Sequence, residues 1–324
     1  MHWQNTNSLA MQTDSRFRTM VSPRAQSIGF TLLAMGCIAV LDTTNKVAFA
    51  TVPLLMVLWC RYIFQALATT GFVLSSQGST LLQTQQPLLQ LLRGFLLFAC
   101  SYLGFKSLEH IAVAEFTAIA MLTPLLVTVL ARFVMKERVG GLRWLFIAGG
   151  LLGALVIVRP GGGIPGHATI YPLCMVLTYA SFQILTSHMA KTEHPLTMHL
   201  YTGWVGSCLA SIMVVGWWTT DLATIDWAKL CLVGLSGTLG HYLLILAYAR
   251  APASSITPYL YSSIAFATVL GWFVFDHVPD AWASAGIVLI ALCGIASAYF
   301  AQNASHQAPS LGDGPSSAQE EESA

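Results

Sequence analysis

Asp42, Lys46, Arg61, Arg93, Glu115 and His241 each interrupt an otherwise apolar stretch of the chain. Asp42 and Lys46 stand four residues apart, so a helix would carry them on one face, either as an ion pair or as paired contacts for a solute. The simpler alternative is a neutralised pair near a helix end, with Lys46 reaching to the surface. Glu115 is flanked by Ala112, Ala114 and Ala118, small neighbours that let helices approach closely. Its carboxyl could bind a cationic group or take up a proton; otherwise it would pair permanently with Arg61, Arg93 or Lys106. Arg61 and Arg93 could each clamp a carboxylate or phosphate through a planar fork of donors. Arg61 lies deeper in its apolar run, whereas Arg93 has a stem long enough to anchor at an interface. Tyr102, Tyr179, Trp204, His241, Tyr242, Tyr259 and Tyr261 add polar-tipped aromatics that would stack on a planar or cationic ligand. Each alone also reads as packing, with His241 set apart because imidazole titrates near neutrality. Gln183, one turn from Tyr179, supplies a further donor.

The pattern binds rather than catalyses. No HExxH pair, nucleophile elbow or phosphate-cradling glycine loop occurs. His188, His194 and His199 gather around one expected loop, a poor place for chemistry on lipid. Seven cysteines lie singly in apolar runs, without the paired spacing of a zinc site or a disulfide framework. They read as small packing residues. No cofactor and no metal is expected. The net charge of +1 lacks the clustered Lys and Arg that nucleic acid demands, so no nucleic-acid partner is expected.

The elements that must hold these groups follow from composition. Only 9% of residues are charged and 55% are hydrophobic, against about 25% charged in a soluble domain; there is no material for a charged shell. Apolar runs near the roughly 20 residues that cross a bilayer occur at 27–47, 53–75, 88–107, 111–132, 142–158, 168–189, 197–218, 228–249, 253–275 and 282–301. This predicts an all-α integral membrane protein of ten transmembrane helices, with the lipid bilayer as its solvent. Short links such as Glu109–His110 force antiparallel neighbours. Residues 1–26 are polar and contain no cleavable signal pattern, and 302–324 form a Ser-, Gly- and Pro-containing acidic tail expected to be disordered. With the N-terminus cytoplasmic, Arg16, Arg18, Arg24, Arg132, Lys136, Arg138, Arg143, Lys191 and Arg250 fall inside, against Lys46, Lys106, Arg159 and Lys229 outside. That bias puts both termini in the cytoplasm, and the inner (plasma) membrane is the expected location.

The polar stretch 159–167 divides the spans into five (27–158) and five (168–301). Shifting the second half back by 139 residues sets Ala112 on Ala251, Ala114 on Ala253 and Glu137 on Asp276. Five is odd, so the halves insert with opposite orientation: two inverted five-helix repeats, an architecture of secondary transporters with a site where the halves meet. Gly149, Gly150 and Gly153, and again Gly234, Gly237 and Gly240, make small-residue faces for close packing, compatible also with a homodimer. Pro124 and Pro258 fall within spans, where they would free backbone carbonyls and suit a hinge.

Three stretches carry a family likeness: Ile111 to Ile119 with Ala114-Glu115, Thr123-Pro124-Leu125, and Val134-Met135-Lys136-Glu137-Arg138-Val139. Together with Arg61 in the second span they resemble the drug/metabolite transporter superfamily, EamA type, over about 28–300. Asp42, Lys46, Pro53 and Arg61 look like a subgroup that includes metabolite and S-adenosylmethionine carriers. Asp276-His277-Val278-Pro279 departs from the family's acid-valine-proline turn by one residue. The resemblance implies ten spans in two EamA-like repeats and electrochemically driven or exchange transport. The expectation is therefore a secondary transporter, not an enzyme. It would move a small-molecule solute (an amino acid or related metabolite, or a drug) by alternating access, with a coupled proton or counter-substrate. Asp42, Lys46, Arg61, Glu115, Tyr102, Tyr179, Trp204, His241 and Tyr259 are the expected substrate contacts. The rival readings are a membrane-embedded enzyme and a structural membrane protein.

Overall fold

The computed structural model describes residues 22–76, 79–110, 119–137, 139–158, 170–275 and 281–306. Glu115, Arg138, Arg159, Asp276 and His277, the 159–167 linker, most of the 1–26 segment and residues 307–324 lie outside them. All the regular structure among the described residues is helical. The helices are α1 (Pro23–Ala48), α2 (Leu54–Ser76), α3 (Pro87–His110), α4 (Leu122–Phe133), α5 (Gly141–Val158), α6 (Ile170–Met189), α7 (Pro195–Met213), α8 (Thr224–Tyr248), α9 (Ala253–Leu260), α10 (Ser262–Phe275) and α11 (Ala281–His306). A 3₁₀ turn at Ser79–Leu82 follows α2.

Among the described residues six segments are long and apolar enough to cross a membrane: Pro23–Ala48, Leu54–Ser75, Pro87–Ser107, Ile170–Met189, Thr224–Tyr248 and Ala253–Phe275. α7 falls short on polarity, because its packed face carries Thr197, His199, Thr202 and Ser207. Large apolar side chains such as Leu33, Leu67, Phe72, Leu88, Ile212 and Phe273 point outward. In water such a girdle would drive aggregation; in lipid it is the required surface.

Local chemistry sets the helix ends. Ser22 caps α1, accepting from the Ala25 amide at 3.2 Å, with Pro23 in the first turn where its missing N–H costs nothing. His194 caps α7 the same way, Nδ1 accepting from the Leu196 amide at 3.2 Å. Pro124 sits in the first turn of α4, so it starts that helix rather than kinking it. Pro258 lies in the last turn of α9, and the ninth apolar run breaks at Tyr261 into α9 and α10. A matching break precedes α4 at Met121, and the Tyr261 hydroxyl donates to the Met121 carbonyl at 3.4 Å.

Helices of the two halves interleave. α1 packs on α8, α2 on α7, α3 on α6, α4 on α9, and α5 on α11. The secondary neighbours also come in matched pairs: α2 with α8 and α3 with α7, α1 with α10 and α4 with α6. One end of the bundle joins the turn after α1 to the start of α8, through Thr51 Oγ1 donating to Asp226 Oδ1 at 2.6 Å. The other joins the start of α1 to the end of α8 (Arg250 Nε to Gln26 Oε1, 3.1 Å) and the end of α6 to the start of α3 (Gln85 amide to Glu193 Oε1, 2.9 Å). Accordingly α1 and α6, the first helices of the two halves, run in opposite directions. The glycine faces are used within the chain. A Cβ on Gly237 would stand 3.1 Å from Arg61 Nε, and one on Gly206 would enter the Tyr62 ring.

Candidate functional site

The site is built from α1, α2, α3, α6 and α8. Thr31, Met35, Ile38, Asn45 and Phe49 all lie within about 60° of Asp42 around α1, at 100° per residue. Each of them is buried or half-buried in packing. Asp42 occupies the middle of that inward stripe and yet is exposed. An accessible carboxylate at the centre of a packed face points to an opening beside it in the bundle.

Across that opening stands Arg61, only 5% exposed on α2. Gly237 on α8 leaves room for its stem. Its Nη1 donates to Ser101 Oγ on α3 at 2.9 Å and its Nη2 to His241 Nε2 on α8 at 2.8 Å. Guanidinium can only donate; Nε2 must therefore accept, and the proton of a neutral His241 ring sits on Nδ1. That Nδ1 has no partner among the described residues, nor does Arg61 Nε. Arg61 further lies over the Tyr62 ring, 5.0 Å from its centroid, and Tyr62 shares Ser101 at 3.2 Å. Among the described residues no carboxylate is within ion-pairing distance of Arg61; Asp42 is within Coulombic reach, as are Cys100 and Tyr179. The Tyr179 hydroxyl meets Gln183, which also accepts from Tyr248 at 2.5 Å, and Phe182 packs edge-on to His241.

Several expected residues fall elsewhere. Lys46 does not pair with Asp42; it is exposed, and its ammonium lies 4.7 Å from the centroid of the Phe275 ring. Trp204 is 42% exposed on the outer side of α7, its indole donating to Thr70 at 3.0 Å. Tyr102 is half-buried on α3, and Tyr259 is buried in α9, which packs on α4 and α1. Glu115 lies outside the described residues.

Two residues differ from the sequence expectation. Arg93 does not reach an interface. It is 1% exposed, stacked on Phe182 at 4.8 Å, and donates to Thr186 Oγ1 and the Met198 carbonyl at 2.8 Å each, and to Thr202 Oγ1. His199 is not a loop residue but is 2% exposed inside α7, its Nδ1 3.3 Å from Gln65 Nε2. The signal for His199 was its spacing from Thr202, Gly203 and Gly206, which puts it on the packed face of α7. The Arg61–His241 contact left no trace in sequence spacing, since 180 residues separate the partners.

Comparison with known proteins places these features in a family. A family model described as "EamA-like transporter family" matches twice, over residues 26–159 and 167–299. An S-adenosylmethionine uptake transporter of Rickettsia bellii is 25% identical over 263 residues, covering 81% of this chain and 90% of that protein. A riboflavin transporter of Vibrio cholerae is 26% identical, covering 66% of this chain and 73% of that protein. A pseudopaline exporter of Pseudomonas aeruginosa is 26% identical over 82% and 93%. A crystal structure of another protein superposes with a TM-score of 0.72 at 15% identity, covering 85% of this chain and 98% of that chain.

Proposed function

We propose, from the premise that this chain belongs to the EamA-like transporter family, a solute path through the opening between Asp42 and Arg61. The protein is a multi-pass membrane transporter of small solutes and not an enzyme. Its cargo is a small polar organic solute of the amino-acid or related-metabolite class, moved by alternating access between two five-span repeats inverted in an inner membrane, with both termini cytoplasmic.

The observation that carries this reading is the accessible Asp42 on the packed face of α1, opposite a buried Arg61 that pairs with no carboxylate among the described residues. Burying a charge without a counter-charge costs several kcal/mol, and a binding site is where such a cost is useful. Orientation draws support from Arg24, Arg132, Lys136, Lys191 and Arg250, all at the bundle end that carries the start of α1. Exposed Trp217, Trp218, Trp227 and Trp282 crowd toward the opposite end, as an interfacial aromatic belt would. Alternation draws support from Glu137, whose carboxylate accepts the Ala253 and Ser254 amides at 3.2 and 3.1 Å. This closes the cytoplasmic-side junction of the fourth and ninth spans. The 139-residue register pairs Glu137 with Asp276, so the opposite repeat carries an acid suited to a second latch for the other state.

The test is counterflow in proteoliposomes containing purified protein, without ATP. Labelled S-adenosylmethionine, riboflavin and a panel of amino acids are each presented outside against an unlabelled internal pool. Transient accumulation of at least one label is expected; an absence of flux for every solute, in protein that remains folded, contradicts the reading. Glu115→Gln is expected to abolish or uncouple transport while leaving expression intact, and unchanged uptake and efflux would remove Glu115 from the mechanism.

A further inference from the structure

We infer that Asp42 and Arg61 together read the zwitterionic head group of an α-amino acid, Arg61 taking the carboxylate and Asp42 the ammonium. This rests on the transporter reading above and narrows it to one class of cargo. Three observations carry it. Arg61 is 5% exposed, and its two bonded partners, Ser101 and His241, are both neutral. Its Nε is buried without an acceptor among the described residues. Asp42 is exposed to the opening, within Coulombic reach of Arg61 but too far to pair with it.

The arrangement is a fixed dipole with a gap, and charge balance selects what fits. Lys46, the cation that could have neutralised Asp42 along its own helix, is turned onto Phe275. A purely cationic solute would satisfy Asp42 and leave Arg61 uncompensated and repelling. A purely anionic one would do the reverse, and a neutral solute would have to desolvate both charges and satisfy neither. An α-amino carboxylate places opposite charges side by side, meeting each fixed charge with a charge-assisted hydrogen bond. Tyr179 and Phe182 stand beside the charged pair as a wall for whatever the head group bears. Two sources share this head group, a free amino acid and the aminoacyl end of a larger conjugate.

The experiment measures competition against labelled methionine and labelled S-adenosylmethionine counterflow in the full-length protein. Competitors are methionine methyl ester, which keeps the ammonium and loses the carboxylate, and N-acetylmethionine, which does the opposite. 5′-Methylthioadenosine lacks both charges. Both modified methionines are expected to compete at least about tenfold more weakly than methionine, and methylthioadenosine not at all. Which label accumulates identifies the source: methionine alone for a free amino acid, S-adenosylmethionine for the conjugate. Asp42→Asn is expected to bring N-acetylmethionine within about twofold of methionine while the discrimination against the ester persists. Arg61→Gln is expected to produce the converse. Asp42 is exposed and Asn has nearly its shape, so the Asn variant tests the inference even where the Arg61 variant fails to fold. Equal competition by ester, N-acetyl compound and methionine overturns the assignment, as does unchanged discrimination in Asp42→Asn. Riboflavin flux that methionine and S-adenosylmethionine do not inhibit overturns this inference and leaves the transporter reading standing; no flux of any solute overturns both.

Discussion

Two buried arginines divide the interior into regions with different tasks. Around Arg93, every bond ends on a group fixed by its own helix. Thr186 and Thr202 are themselves tied to carbonyls one turn back, at 2.7 and 2.9 Å, and Phe182 covers the guanidinium face. These bonds join α3, α6 and α7 where the halves meet, while Gln90 Oε1, Ser187 Oγ and His199 Nε2 on the same helices have no partner among the described residues. Around Arg61 the inventory is incomplete among the described residues: an unpartnered Nε, an unpartnered ring nitrogen on His241, and a carboxylate facing an opening instead of a cation. Satisfied polar networks specify structure, whereas half-satisfied ones mark places where something else binds. Burial alone does not separate the two arginines; the fate of their donors does.

Predictions follow that contrast in order of expected size. Arg93→Ala removes a fully enclosed side chain and the bonds joining three helices. It should lower stability by about 3–5 kcal/mol, read as a large fall in melting temperature in detergent. An unchanged melt would mean that the Arg93 region is not the structural one. Gly206→Val puts methyl groups into the space of the Tyr62 ring behind Arg61. Overpacking of that kind costs about 1–3 kcal/mol, and flux should fall with it as Tyr62 and Ser101 shift. Glu137→Ala removes the carboxylate that caps α9, worth about 1 kcal/mol. A change in counterflow rate together with a small drop in melting temperature is expected, whereas a melt shift with unaltered rate would make Glu137 purely structural. Trp204→Phe alters only a residue on the outer side of α7. Stability within about 0.5 kcal/mol of the parent and unchanged flux are expected, and a marked loss of flux would move the solute path toward α7.

How much of this was legible in the sequence follows from what periodicity encodes. Apolar runs locate helices, and the described helices overlap the expected ones, because lipid solvation acts on composition alone. Periodicity does not encode which helix a polar side chain meets. Asp42 and Lys46 looked like partners because spacing along one helix is the only adjacency a sequence displays. In three dimensions each found its neighbour elsewhere, Asp42 toward Arg61 and Lys46 on Phe275. Arg93 shows the same limit. Its distance from the end of the helix permitted either an outward or an inward path, and Thr186 and Thr202 on two other helices made the inward one favourable. Pro124 and Pro258 fall at helix ends, Pro124 in the first turn of α4 and Pro258 in the last turn of α9, rather than as kinks within spans. The break points at Met121 and Tyr261, three residues from each proline and bonded to each other, depend on how the two halves cross.

The central claim is that the opening beside Arg61 holds the solute while the Arg93 region holds the fold. The most direct measurement compares Arg61→Gln with the parent protein in counterflow, normalised to folded protein by its melt. Losing charge-assisted bonds to a solute carboxylate should reduce flux by about 100-fold, with the melting transition little changed. Parental flux in a folded Arg61→Gln protein would contradict the account.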